Sequence, residues 1–179
     1  MLEPKPEPFK FVFSWRRFLV HCAIISGCVM LGLMTWYFGK PPSIRFYETK
    51  QEEQLTTAIA AGIDMALDSS SSIAVKVEPP LQVELFKGNV YFDIDKNSPN
   101  QLEAKVGNVL IKGSGTRCSI QMSKKGNNHV AVADGHIKIH LASGVYQINA
   151  FEQADFNDDG ISQHRLIADR NIAPWRSLQ

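Results

Sequence analysis

LQVELFKGNVYFDID, residues Leu81 to Asp95, puts an apolar side chain at every second position on both sides of a central Lys87-Gly88-Asn89. Leu81, Val83 and Leu85 alternate with Gln82 and Glu84. Val90, Phe92 and Ile94 then form an inner set, with Tyr91, Asp93 and Asp95 on the other face. A period of two is that of a half-buried strand, and Gly and Asn at a break favour turns. The stretch therefore predicts two strands joined by a turn at Lys87-Gly88-Asn89.

The same pattern continues outward. Upstream, Ile73 to Val77 alternates until Pro79-Pro80 breaks it. The alanines of Gln51 to Leu67 favour a helix, but Gly62 interrupts them and Ile63, Met65 and Leu67 alternate, so two short strands around Gly62 are expected. Downstream come a loop at Asn97-Ser98-Pro99-Asn100, a strand through Val109-Leu110-Ile111, a Gly113-Ser114-Gly115 interruption and a Cys118, Ile120, Met122 strand. A turn at Lys125-Gly126-Asn127-Asn128 follows. Val130-Ala131-Val132 leads into Asp134-Gly135, a two-residue hairpin signal, with Ile137, Ile139 and Leu141 facing inward on the return. Val145 to Ala150 is another strand, and Asp155 to Gly160 the last polar turn. Short strands with frequent turns predict an all-β barrel, sandwich or solenoid-like roll.

Ahead of this lies Phe18 to Phe38, an apolar run whose polar members, His21 and Thr35, sit near its ends. At 1.5 Å per residue, about 21 helical residues reach roughly 31 Å, the thickness of a bilayer core. Trp36 and Tyr37 at the far end, and Trp15 at the near end, suit an interfacial belt. The run ends in Trp36-Tyr37-Phe38-Gly39-Lys40 without a small-residue cleavage site, favouring an uncleaved anchor over a signal peptide or a buried helix. Arg16 and Arg17 abut it, which favours a cytoplasmic N-terminus. The expected organisation is a short cytoplasmic tail (1–17), a transmembrane helix (18–38), a linker (39–50) and a periplasmic β domain (51–176), with structure beginning near Tyr47. Phe9, Phe11, Phe13 and Trp15 recur at a spacing of two beside the membrane. Interfacial anchoring accounts for them, and a cytoplasmic contact surface of Phe11, Phe13, Trp15, Arg16 and Arg17 is the functional alternative.

The 179 residues carry a net charge of +1, which gives no electrostatic case for nucleic acid. Cys22 and Cys28 fall in the anchor, leaving Cys118 as a lone thiol that reads as a small buried hydrophobe. Asp155, Asn157 and Asp159 before Gly160 match the first half of a calcium loop, yet Leu166 stands where the bidentate Glu is needed, so a plain turn is expected. His136 and His140 on one strand would be roughly 13 Å apart at about 3.3 Å per residue, too far for one ion. Asp93 and Asp95 are expected on one exposed face, about 7 Å apart. Neither a nucleophile-and-base pair nor a phosphate loop is present, and no enzyme activity, metal or cofactor is expected.

Gly88-Asn89-Val90-Tyr91-Phe92-Asp93-Ile94 resembles the Gly-x-x-aromatic-Phe-Asp-Val stretch of FecR-type transmembrane regulators. Val109 to Ile120, with Gly115-Thr116, is similar to that family's valine-rich Gly-Thr-x-Phe-x-Val segment. Val130 to Ile139, with Gly135, is similar to its Val-x-Val-x-x-Gly-x-Val-x-Val hairpin. Ala61 to Ser71 sits where the family has Leu-x-Asp-Gly-x-x-x-x-Leu-Asn-x-x-Ser, and Trp175 matches a family Trp. Cys118 replaces the usual Phe, and Ala61 the usual Asp. The resemblance implies a periplasmic FecR module on an inner-membrane anchor. It also implies signal transduction that regulates a sigma factor in response to a TonB-dependent outer-membrane transporter of iron uptake. Family members carry a helical anti-sigma domain before the anchor and a small α/β signalling domain after the Trp, and neither is expected within these residues. An envelope adaptor without regulatory output is the alternative.

Overall fold

The computed structural model describes residues 15–38, 43–124, 126–167 and 171–178. It divides into two compact units, Met1–Pro41 and Pro42–Gln179. The first contains α1 (Trp15–Phe38), a helix of 24 residues over the expected apolar run. Pro is absent from it, and Leu, Met and Ala favour helix. Its described side chains, Leu19, Ile24, Val29 and Met34 among them, are exposed. Among the described residues no helix is long and apolar enough to cross a membrane.

The second unit is all β. Its strands are β1 (Ile44–Glu48), β2 (Leu55–Ala60), β3 (Ile63–Leu67), β4 (Ser72–Lys76), β5 (Leu81–Ile94), β6 (Leu102–Val106) and β7 (Val109–Gly113). They continue with β8 (Arg117–Met122), β9 (Asn128–Asp134), β10 (His136–Leu141), β11 (Gly144–Asn149), β12 (Glu152–Phe156) and β13 (Ile161–Leu166). One layer runs β1-β4-β5-β6-β7-β10-β11. The other runs β2-β3-β5-β8-β9-β12-β13. Strand β5 belongs to both, so the 13 strands form one sheet folded upon itself. Its early residues pair with β4 and, in parallel, with β6. Its later residues pair with β3 and β8.

This corrects two readings of the sequence. Lys87-Gly88-Asn89 is no turn: β5 runs through it and bends from one layer into the other, with Gly88 at φ +86°. Asp134-Gly135 closes no hairpin either. Strand β9 pairs with β8 and β12, whereas β10 pairs with β7 and β11, and Gly135 (φ +77°) marks the passage between layers. Glycine with positive φ serves a tight turn and a sharp strand bend equally, so local sequence does not separate them. Gly113-Ser114-Gly115 makes a third passage, from β7 to β8. Successive hairpins thus alternate between layers: β6–β7 in the first, β8–β9 in the second, β10–β11 in the first, β12–β13 in the second.

Strand β1 falls inside the stretch read as linker and starts three positions before Tyr47. Only Tyr47 of this short strand packs on the core, and Ile44 and Phe46 are exposed, which hid its alternation from a reading based on burial. The two strands expected around Gly62 are β2 and β3, and the helix that the alanines favour does not form. Lys125 lies outside the described residues, and Asn128 of the same expected turn opens β9.

Between the layers lies one core. The first layer contributes Ile73, Val75, Leu81, Leu85, Val106, Ile111, Ile137 and Ile139. The second contributes Met65, Leu67, Val90, Phe92, Cys118, Ile120, Val132 and Phe156. Most of these are the inner members of the alternations read from sequence, while Phe156 of β12 comes from the stretch read as a polar turn and Val106 of β6 from no alternation. Each fully buried aliphatic or aromatic side chain contributes about 1.5–3 kcal/mol relative to exposure.

Candidate interaction surface

The residues marked by family resemblance separate into three groups. Phe92 is core, with no exposed surface. Gly88, Gly115, Thr116 and Gly135 build the passages between layers. Asp93 and Trp175 belong to the outer surface of the second layer.

At the Gly88 bend, a Cβ would stand 2.1 Å from Ser71 Oγ and 2.7 Å from Ser71 Cα, so only glycine admits the chain beside β4. Ser71 is 1% exposed, and its Oγ accepts the Asn89 N–H at 2.9 Å and donates to Ser69 O. Thr49 bridges the same corner: its Oγ1 donates to Asp68 O at 2.5 Å and accepts the Ser71 N–H at 3.0 Å. Asn89 Nδ2 donates to Asp68 Oδ2 at 2.9 Å. Partly buried and including the Asp68 carboxylate, this network ties β1, β3, β4 and β5 together where β5 changes layer.

The Gly135 corner uses other chemistry. A Cβ there would meet Gly115 O at 2.6 Å. Thr116, fully buried, donates through Oγ1 to Asp134 O at 2.7 Å, and its carbonyl accepts the Ile94 N–H at 3.0 Å. Outside stands an ionic clamp: Asp134 Oδ2 is 3.1 Å from Lys96 Nζ and 3.6 Å from Arg117 NH2. The hydrogen-bonded Lys96 ammonium holds the Asp134 carboxyl below the usual carboxylate range. Gly115, Thr116 and Gly135, separate in sequence, therefore meet at one point, whereas Gly88 acts elsewhere.

On the outer surface of the second layer, register aligns Ala66 with Tyr91 and Tyr91 with Ser119 and, beyond it, Ala131. The small side chain at Ala66 leaves room for the C-terminal segment. Ile172, Ala173 and Trp175 pack over Ala66 and Tyr91, and Pro174–Leu178 forms a 3-10 turn. The Arg176 guanidinium lies 4.0 Å from the Tyr91 ring centre, a cation–π contact. Burial, then the Asp93 carboxylate, push the Tyr91 phenol up. The sequence signal for this site was an aromatic on the otherwise polar face of β5.

Other candidates are not assembled. Asp155 lies in β12, where its Oδ1 is 2.6 Å from His129 Nδ1 and its Oδ2 3.6 Å from Arg165. Asn157 Oδ1 accepts the Asp159 and Gly160 N–H groups, so the calcium-loop oxygens are spent on an ordinary turn. Asp95 lies one position beyond β5, and its Oδ1 accepts the Asn97 N–H at 2.8 Å. His136 and His140 project outward from β10 while Ile137 and Ile139 are buried. His164, without a visible partner in sequence, stands 3.2 Å from Glu152 Oε2. Burial pushes the Cys118 thiol up to about 12, so it is an inert core group. On α1, Trp15, Trp36 and Tyr37 are exposed. Phe9, Phe11 and Phe13, and the side chains of Arg16, Arg17, Phe18 and Phe38, lie outside the described residues.

Residues 45–138 match the FecR protein family, and the chain belongs to it. Two crystal structures described as "a putative anti-sigma factor from Parabacteroides distasonis ATCC 8503" are similar in fold. One is 14% identical over 75% of this chain and 65% of its own, with a TM-score of 0.66. The other is 14% identical over 74% of this chain and 64% of its own, with a TM-score of 0.65. The chain thus spans about 65% of the length of those proteins. No curated protein matches it.

Proposed function

We propose that this protein is a membrane-anchored regulator of a sigma factor, acting through protein contact and not through catalysis. Membership of the FecR family carries the proposal. The fold shared with the two Parabacteroides distasonis proteins supports it. In this reading Phe18 to Phe38 anchors the chain in a bacterial inner membrane, residues 1–17 face the cytoplasm, and the β unit is periplasmic. Arg16 and Arg17 beside the apolar run support the orientation. The input is a TonB-dependent outer-membrane transporter, and iron uptake the process served.

Solubilising native membranes in detergent and capturing the tagged full chain should recover a sigma factor and such a transporter. Recovery of neither would sink the proposal. Orientation is tested separately with Ser143→Cys in a chain carrying Cys22→Ser and Cys28→Ser, which leaves an exposed thiol at position 143 while Cys118 stays buried. A membrane-impermeant maleimide should label it once the outer membrane is permeabilised; labelling only after lysis would reverse the orientation.

A further inference from the structure

Among the described residues four strands have a single neighbour and so leave an edge open: β1, β2, β11 and β13. Three are protected in the usual ways. β1 carries Arg45 and Glu48, the β2 register shifts between Ala58 and Ala60, and β13 carries His164 and Arg165 opposite a register shift in β12. β11, Gly144-Val145-Tyr146-Gln147-Ile148-Asn149, has no charge and no Pro, and pairs with β10 without interruption. Val145 is 59% and Tyr146 38% exposed.

The open side of this edge has a defined phase. Leu141 and Gly144 close the hairpin as opposite residues, so Gly144, Tyr146 and Ile148 bond to β10, and Val145 and Gln147 turn their N–H and C=O outward. Asn149 agrees with that phase, since its N–H leaves the ladder and donates to Glu152 Oε2 at 2.7 Å. Glu152 thereby closes one end of the edge.

Its surroundings are basic. On the outer surface, Lys138 stands opposite Gln147 on one side and Lys112 on the other, flanked by His136 and His140. Lys112 is paired with Glu103 at 2.7 Å, while Lys138 has no ion-pair partner among the described residues. An edge this short presents far less surface than the roughly 1,200–2,000 Å² that a stable dimer buries. It suits a single extended peptide, where backbone bonds supply the affinity.

We propose that the β11 edge is a docking site for an extended segment of a partner protein that alternates apolar and acidic residues. Its apolar side chains continue the inner surface beside Tyr146, its acidic ones lie outward toward Lys138, and its backbone bonds to Val145 and Gln147. Strand β11 itself lies outside the family-matched residues 45–138, and the proposal stands independently of the sigma-factor reading.

The test is fluorescence anisotropy on the detergent-solubilised full chain, using an eight-residue peptide alternating valine and glutamate and another alternating valine and lysine. The acidic peptide should bind about tenfold or more tightly than the basic one. Gln147→Pro, which removes an outward N–H and spares the β10 ladder, should abolish binding with little change in melting temperature. Lys138→Glu should reverse the preference, an effect that unfolding cannot mimic. Equal binding of both peptides, or binding undiminished by Gln147→Pro, would overturn the proposal. Sedimentation showing a dimer that Gln147→Pro dissociates would overturn it in favour of a second copy.

Discussion

The Gly88 and Gly135 corners answer one mechanical demand with different chemistry. Each carries the chain between layers on a glycine whose Cβ would collide with a neighbour. At Gly88 the obstacle is a whole residue, Ser71, held in a hydrogen-bond network with Thr49, Asn89 and Asp68. At Gly135 it is Gly115 O at 2.6 Å, with Thr116 Cα and Cβ close behind at 3.0 and 3.1 Å, backed by the buried Thr116 hydroxyl and an exposed Lys96–Asp134–Arg117 clamp. The second corner should therefore lose its outer ionic part to low pH or to salt.

Gly88→Ala should have the largest effect, about 3–5 kcal/mol of lost stability by urea denaturation, because left-handed strain adds to a backbone collision. Removing only the Ser71 hydroxyl would not relieve it, since Ser71 Cα also lies at 2.7 Å. Gly135→Ala should cost less, about 2–4 kcal/mol, because only Gly115 O stands under 3.0 Å while Thr116 Cα and Cβ lie at 3.0 and 3.1 Å. Equal losses at the two sites would erase the distinction. Thr116→Val keeps the shape but orphans the Asp134 carbonyl, and thermal melts should report a loss of about 1–2 kcal/mol.

Asp134→Asn is the smallest and depends on pH. The folded carboxyl sits below its ordinary value, so its stabilising contribution is present above the unfolded value of about 3.9 and fades as pH falls through the lowered one. Wild type should lose melting temperature between about pH 5 and pH 3, and the variant should lose less. Identical pH profiles would remove the ionic clamp from the account.

The central strands were largely legible because one side of each is buried, so Leu81, Val83, Leu85 and Val90, Phe92, Ile94 announce themselves by period. What the chain does at Gly88 and Gly135 was not legible. A hairpin and a passage between layers ask the same thing of the local backbone, and only long-range pairing separates them. β1 escaped notice because it buries one side chain of five. Resemblance found Gly115, Thr116 and Gly135, but not that they converge. The Arg176–Tyr91 stack needed the fold, for nothing in sequence brings residue 176 to residue 91. The calcium-loop candidate illustrates the converse: its spacing fitted, but Asp155 is held by His129 across the sheet.

One strand serving two layers also bears on how the β unit comes apart. Two layers joined only by loops could open in turn, each as its own cooperative block. Here β5 is an interior member of both, flanked by β4 and β6 at one end and by β3 and β8 at the other. Loss of either layer strips half of its hydrogen bonds and uncovers the Phe92 side of the core. The terminal hairpins can fray, but the centre has no partly open form to occupy, and the unit gives way in a single step.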